Sequence, residues 1–101
     1  MIRIEFEVHL ISGDEKEWAR HDAKIKEIVK KHGGKDHYVA YSLDGRSRAV
    51  QCKYPDLASL HNSGSEIRAF FRSIGIDQTV LNMNIRDIAE KALEEMDSVL
   101  A

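Results

Sequence analysis

Cys52 is the single cysteine of the chain, and a hairpin signal places it opposite a histidine. Asp44-Gly45 between two β-prone runs predicts a two-residue type I′ turn. That turn sets Leu43 against Arg46, Tyr41 against Arg48, Val39 against Val50 and His37 against Cys52, all on one face. Opposed Cβ atoms lie about 5 Å apart, close enough for an imidazole to take the thiol proton and leave a thiolate nucleophile. This pair predicts acyl transfer or ester hydrolysis, with Cys52 as nucleophile and His37 as base. The plain alternative is a Cys52 that fills core space as a small hydrophobe and a His37 at the fraying start of a strand.

A carboxylate comes from the first helix. Trp18, Asp22, Ile25, Val29 and His32 recur at steps of four, three, four and three, which puts Asp22 on the inward stripe and His21 at its margin. An inward carboxylate needs a partner or water. Asp22 is therefore expected to orient His37, or to act itself as a general base in a proton abstraction with Trp18 as a flat wall for an aromatic substrate. A small rotation of the stripe would instead leave Asp22 in water.

The run "LASLHNSGSEIRAFF" raises a different question, because the poorest helix formers stand at its centre. Read as one helix, its inward stripe is Leu57, Leu60, Gly64, Ile67, Phe71 and Ile74, so a glycine replaces a core side chain. An interior Gly costs about 1 kcal/mol against Ala, and a missing core Leu about 2 to 5 kcal/mol. The gap is expected to hold a ligand, ringed by His61, Ser63 and Ser65, with the serines as donors to an oxyanion. A helix break over 62–65 is the competing reading. Tyr41 and Arg48 are expected to contact an anionic or carbonyl group, unless Arg48 only snorkels, and Met83 from the fourth strand completes the lining. His37, Cys52 and either His21 or Asp22 could instead form an open three-ligand zinc site. No P-loop and no G-x-G-x-x-G occurs, so neither a nucleotide nor any other cofactor is expected.

These side chains need a frame. Ile2, Ile4, Phe6, Val8 and Leu10 alternate with charged residues, a strand with one dry face. A helix follows over roughly 14–32, capped by Asp14 and Glu17 and stopped by Gly33-Gly34. The hairpin comes next, then a helix opened by Pro55-Asp56 and closed by Gly75, then the strand "QTVLNMNI". A last helix is expected from Asp87, with the stripe Ile88, Ala89, Ala92, Leu93, Met96, Val99 and Leu100. The order β-α-β-β-α-β-α is the ferredoxin-like split βαβ with one added helix, an α+β fold. Right-handed crossovers predict the sheet order 4-1-3-2. Arg3, Glu5, Glu7, His9, Gln51, Lys53, Asn82 and Asn84 make the far face too polar for a helix, so all three helices are expected on the dry face.

At 101 residues the chain is expected to be a single domain with its own core. Fifteen Lys and Arg against 17 Asp and Glu give a formal charge of -2, which disfavours nucleic acid and anionic membranes as partners. The N-terminus reads as neither signal peptide nor membrane span. A soluble protein of a reducing, cytoplasmic setting is expected, monomeric or weakly dimeric.

The segments "DEKEW", "AKIKEIVKKHGGKD", "LDGR" and "IRDIAEKALEEM" resemble the idealised helices, stops and hairpins of computationally designed ferredoxin-like αβ proteins with a curved sheet. "ARHD" and "HNSGS" depart from that ideal, since a stability-driven design would place apolar residues there. The resemblance implies a de novo protein with an edited small-molecule pocket, and Cys52, His37 and Asp22 would make it an artificial catalyst.

Overall fold

The computed structural model describes residues 1–9, 15–76 and 79–88. Its elements are β1 (Ile2–His9), α1 (Glu15–Lys31), β2 (Lys35–Tyr41), β3 (Ser47–Tyr54), α2 (Leu57–Ser73) and β4 (Thr79–Asp87). The strands form one antiparallel sheet in the order β2-β3-β1-β4, the ferredoxin-like arrangement expected from the sequence. The last expected helix lies outside the described residues. Asp87, its expected cap, closes β4 opposite Ile2 and meets the N-terminal amine at 3.4 Å.

Both helix stops follow from glycine. The Gly34 N–H donates to Val29 O at 2.8 Å and the Gly33 N–H to Lys30 O at 3.0 Å, the paired bonds of a Schellman stop that need the positive φ of Gly33, +79°. Ile76 and Gly75 repeat the pattern on Phe71 O and Arg72 O at 2.9 and 3.2 Å. Asp56 caps the start of α2, its carboxylate accepting from the Ser59 N–H at 2.7 Å. α2 runs without a break through 62–65, so the split-helix reading is excluded.

Core side chains come from one face of the sheet and from both helices. Ile4, Cys52 and Tyr54 pack with Trp18, Ile25, Val29 and Phe71. The phase of α2 differs from the expected one. Leu57 and Ile74 are exposed, and the inward residues are Leu60, Ser63, Gly64, Ile67, Phe70 and Phe71. Ser63 therefore takes a fully buried position, because its hydroxyl has a partner on the sheet. On the far face Arg3 pairs with Glu5 at 2.7 Å and donates to Gln51 at 3.1 Å. The second of these contacts joins β1 to β3.

Two local details differ from expectation. The hairpin keeps the predicted pairing of Tyr41 with Arg48 and Val39 with Val50, but its ladder ends at Ser42, whose N–H donates to Ser47 O at 3.0 Å. Residues 43–46 form a longer loop in which only Gly45 has positive φ. Asp44 stays out of the left-handed region because its carboxylate accepts the Ser42 hydroxyl at 2.6 Å and the Arg46 N–H at 3.0 Å. The second difference is a bulge in β2. Lys35 pairs with Lys53 and Tyr38 with Gln51, three steps against two, so the extra residue falls opposite Cys52. Asp36 absorbs it with φ +53° and pairs with Lys53 at 2.9 Å. His37 and Cys52 are thus not a regular cross-strand pair.

Gly34 tests this frame. A Cβ there would lie 2.4 Å from Val29 Cγ1 and 2.9 Å from Val29 O. Gly34→Ala should lower stability by about 2 kcal/mol. Gly45→Ala, with φ +71° and nothing within 4 Å, should lose only about 1 kcal/mol. Urea denaturation of the two variants gives the comparison.

Candidate functional site

The sheet's helix face and the two helices enclose a hollow of about 370 Å³. Ile4 and Phe6 from β1, Ile25 from α1, and Leu60, Ile67 and Phe71 from α2 supply apolar walls. His37 from β2 and Arg48, Cys52 and Tyr54 from β3 bring polar atoms to the same space, and Gly64 and Met83 also border it. Five of the twelve expected site residues border it: His37, Arg48, Cys52, Gly64 and Met83.

Arg48 is the anchor of the polar end. Its side chain is 2% exposed, a burial that a guanidinium tolerates only with a counter-charge. Asp22 on α1 supplies it, accepting from Arg48 Nη2. The Tyr41 hydroxyl on β2 donates to the other oxygen of that carboxylate. The guanidinium also sits 5.5 Å from the centroid of the Trp18 ring, a cation–π contact. Burial and the Asp22 bond push the Tyr41 hydroxyl up to about 12. Arg48 is therefore no snorkelling surface residue, and Asp22 is committed to it rather than to a histidine.

His37 stands in the field of this pair. Burial first, and then the Arg48 charge, lower its pKa, with Asp22 acting the other way and Lys26 adding a smaller lowering effect. It is neutral at pH 7. Its Nε2 is buried without a hydrogen-bond partner, and so is Arg48 Nε. Buried polar atoms left unpaired cost about 1 to 3 kcal/mol each, so two of them beside one hollow require an explanation.

Cys52 is buried, and burial pushes its thiol pKa up, opposed by a hydrogen bond from Tyr54. That direction favours the thiol over the thiolate. The Tyr54 hydroxyl lies 2.6 Å from Ser63 Oγ, which explains the buried serine of α2, and burial raises the Tyr54 pKa as well. Ser63 is thereby occupied and does not border the hollow.

The remaining expected residues lie elsewhere. His21 packs edge-on to Trp18 at 5.5 Å and against Phe70 at 6.0 Å, a role in helix packing. His61 and Ser65 are exposed. Ser65 accepts from Arg68 Nη2 at 3.3 Å. Among the described residues no group of three His, Cys, Asp or Glu could hold a metal ion, so the three-ligand zinc arrangement is not assembled. No helix among them is long and apolar enough to cross a membrane. Sequence reading missed Tyr54, Arg68 and Arg72, all of which border the hollow. Tyr54 is two residues beyond Cys52 on the same strand face, and Arg68 and Arg72 follow Gly64 at steps of four, signals present in the spacing.

The opposite face of the sheet is also concave. Glu5, Glu7, Tyr38, Gln51, Asn82 and Asn84 rim a second hollow of about 360 Å³ over Ala40 and Ala49.

No family model matches the sequence, and no curated protein matches it. Solved structures share the fold. The structural-genomics protein YJCS is 12% identical with a TM-score of 0.71, over 88% of this chain and 100% of its own. SnoaB, a cofactor-independent oxygenase from Streptomyces nogalater, is 10% identical with a TM-score of 0.65, over 88% and 94%. The de novo designed protein Foldit4 is 12% identical with a TM-score of 0.64, over 87% and 98%. Identities this low carry the fold and no more, and the fold is shared by natural and designed chains alike.

Two outcomes follow from the polar end. Asp22→Ala strands the Arg48 charge and should lower stability by about 3 kcal/mol, whereas Asp22→Leu with Arg48→Met should recover at least half of that loss. For His37, the folded pKa lies below 6.5, so between those values the unfolded chain binds more protons. Its stabilisation is complete above about pH 6.5 and is lost as pH falls through the folded value. Thermal midpoints between about pH 7 and pH 5 should therefore fall less steeply in His37→Gln than in the parent.

Proposed function

We propose that the protein binds a small, mainly apolar molecule in the hollow between sheet and helices, and that the polar end removes a proton from it. The observation that carries this reading is the pair of unpartnered buried nitrogens, His37 Nε2 and Arg48 Nε, on two residues that border one hollow. Once a side-chain shift opens these buried atoms to the hollow, one ligand oxygen would satisfy both. An enol or phenol O–H donates to neutral His37 while its oxygen accepts from Arg48. Transfer of the proton to His37 leaves the electron pair on that oxygen, facing the guanidinium. His37 thus takes the role that the sequence suggested for Asp22, whose carboxylate is held by Arg48 and Tyr41.

The likeness to an oxygenase described as cofactor-independent supports a reaction that relies on the chain's own side chains. The hollow is formed within one chain, so a monomer or a weak homodimer would serve. A designed or edited origin fits the helix ends and the likeness to Foldit4, and it leaves the reading of the pocket unchanged.

Acyl transfer through Cys52, with His37 as base, is the second reading. In its favour, both residues border the hollow. Against it stand the raised thiol pKa, the bulge at His37 and the engagement of Ser63 by Tyr54.

Titration of 4-nitrophenol bound to the protein separates the two. Proton abstraction predicts that the bound phenol ionises at lower pH than the free one. That shift should be lost in His37→Gln and in the Asp22→Leu, Arg48→Met double variant, and kept in Cys52→Ala. Saturable binding with an unshifted ionisation would refute proton abstraction. Turnover of 4-nitrophenyl acetate that disappears in Cys52→Ala would replace it with acyl transfer.

A further inference from the structure

The rim of the hollow carries charge of one sign. Arg68 and Arg72 border it from α2, and no aspartate or glutamate among the described residues does. Arg48, inside, is neutralised by Asp22. Among the described residues neither Arg68 nor Arg72 has a carboxylate partner. They stand four apart on one helix face, where like charges oppose each other and weaken the helix.

The poor helix formers at the centre of α2 set the position of Arg68. Its guanidinium lies beside Gly64, and a Cβ on that residue would come within 3.3 Å of Nη1 and 3.9 Å of Cζ. Ser65 Oγ accepts from Nη2 at 3.3 Å, drawing the side chain back along the helix. With a Cβ at 64 and no hydroxyl at 65, the guanidinium would have less room beside the helix and no acceptor there.

We propose that Arg68, seated by Gly64 and Ser65, and Arg72 form an anion-binding mouth, so that the ligand of this hollow is an amphipathic anion. Its apolar body would lie against Ile67 and Phe71 and its carboxylate, sulfonate or phosphate head between the two guanidiniums, where charge-assisted hydrogen bonds are strongest. This rests on the hollow being the ligand site, and it adds the chemical class of the ligand and the end by which it is held.

Two fluorescent probes with nearly the same rings give the test: 1-anilinonaphthalene-8-sulfonate, which is anionic, and N-phenyl-1-naphthylamine, which is uncharged. Both should bind once per chain and displace each other, with the sulfonate tighter. Arg68→Gln and Arg72→Gln, changes at exposed positions, should each weaken the sulfonate about tenfold and leave the uncharged probe within about twofold. Added salt should weaken only the sulfonate. Equal affinities for both probes, indifferent to either substitution, would overturn the anionic mouth while leaving the hollow as a binding site. Failure of both probes to bind would overturn the binding reading of the hollow, and the mouth with it.

Discussion

The ion pair between Arg48 and Asp22 is the constraint around which this molecule is arranged. It joins β3 to α1 across the core, and Tyr41 on β2 completes it from the edge of the sheet. A guanidinium this deeply buried admits few geometries, because each lost hydrogen bond exposes its desolvation cost. The Trp18 ring is seated against that charge, and the cation adds to burial in lowering the His37 pKa. An aliphatic pair at the two positions would hold the elements together without a buried charge and would take the guanidinium away from the hollow.

α2 is held by a second polar contact of a different kind. Tyr54 and Ser63 exchange one short hydrogen bond between neutral groups, which allows a serine where a leucine would otherwise stand. The two polar contacts lie on different helices, Asp22 on α1 and Ser63 on α2, and each ties its helix to β3. Gly64 borders the hollow with no side chain to fill it.

The topology could be read from the sequence because it rests on strong, local signals. Alternation in β1, two glycine stops and a hairpin with one register leave one plausible sheet order, and that order is observed. Of the residues the sequence offered for a site, His37, Arg48, Cys52, Gly64 and Met83 border the hollow, whereas Tyr54, Arg68 and Arg72 were not singled out. Which polar residues meet could not be read, since that depends on angles between elements. Asp22 and Arg48 were each identified on chemical grounds, as a base and as an anion binder, yet their partnership requires the helix to cross the strand at one particular angle. The rotated phase of α2 has a similar origin, because Ser63 is an inward residue only once Tyr54 is there to receive it. The bulge at His37 turns on Asp36, a residue able to take a positive φ, and alternation alone does not reveal it.

The sheet order also has a consequence for how the chain comes together in time. β1 precedes β2, β3 and β4 along the chain, yet it lies between β3 and β4, so its final neighbour is made only after more than seventy further residues. Such a topology closes through distant contacts and is slow compared with a helical bundle of the same length. While it waits, β1 presents both edges to any other extended segment. Arg3, Glu5 and Glu7 on alternate positions then serve the nascent chain as much as the finished one, since charges along an open edge discourage pairing with the wrong partner.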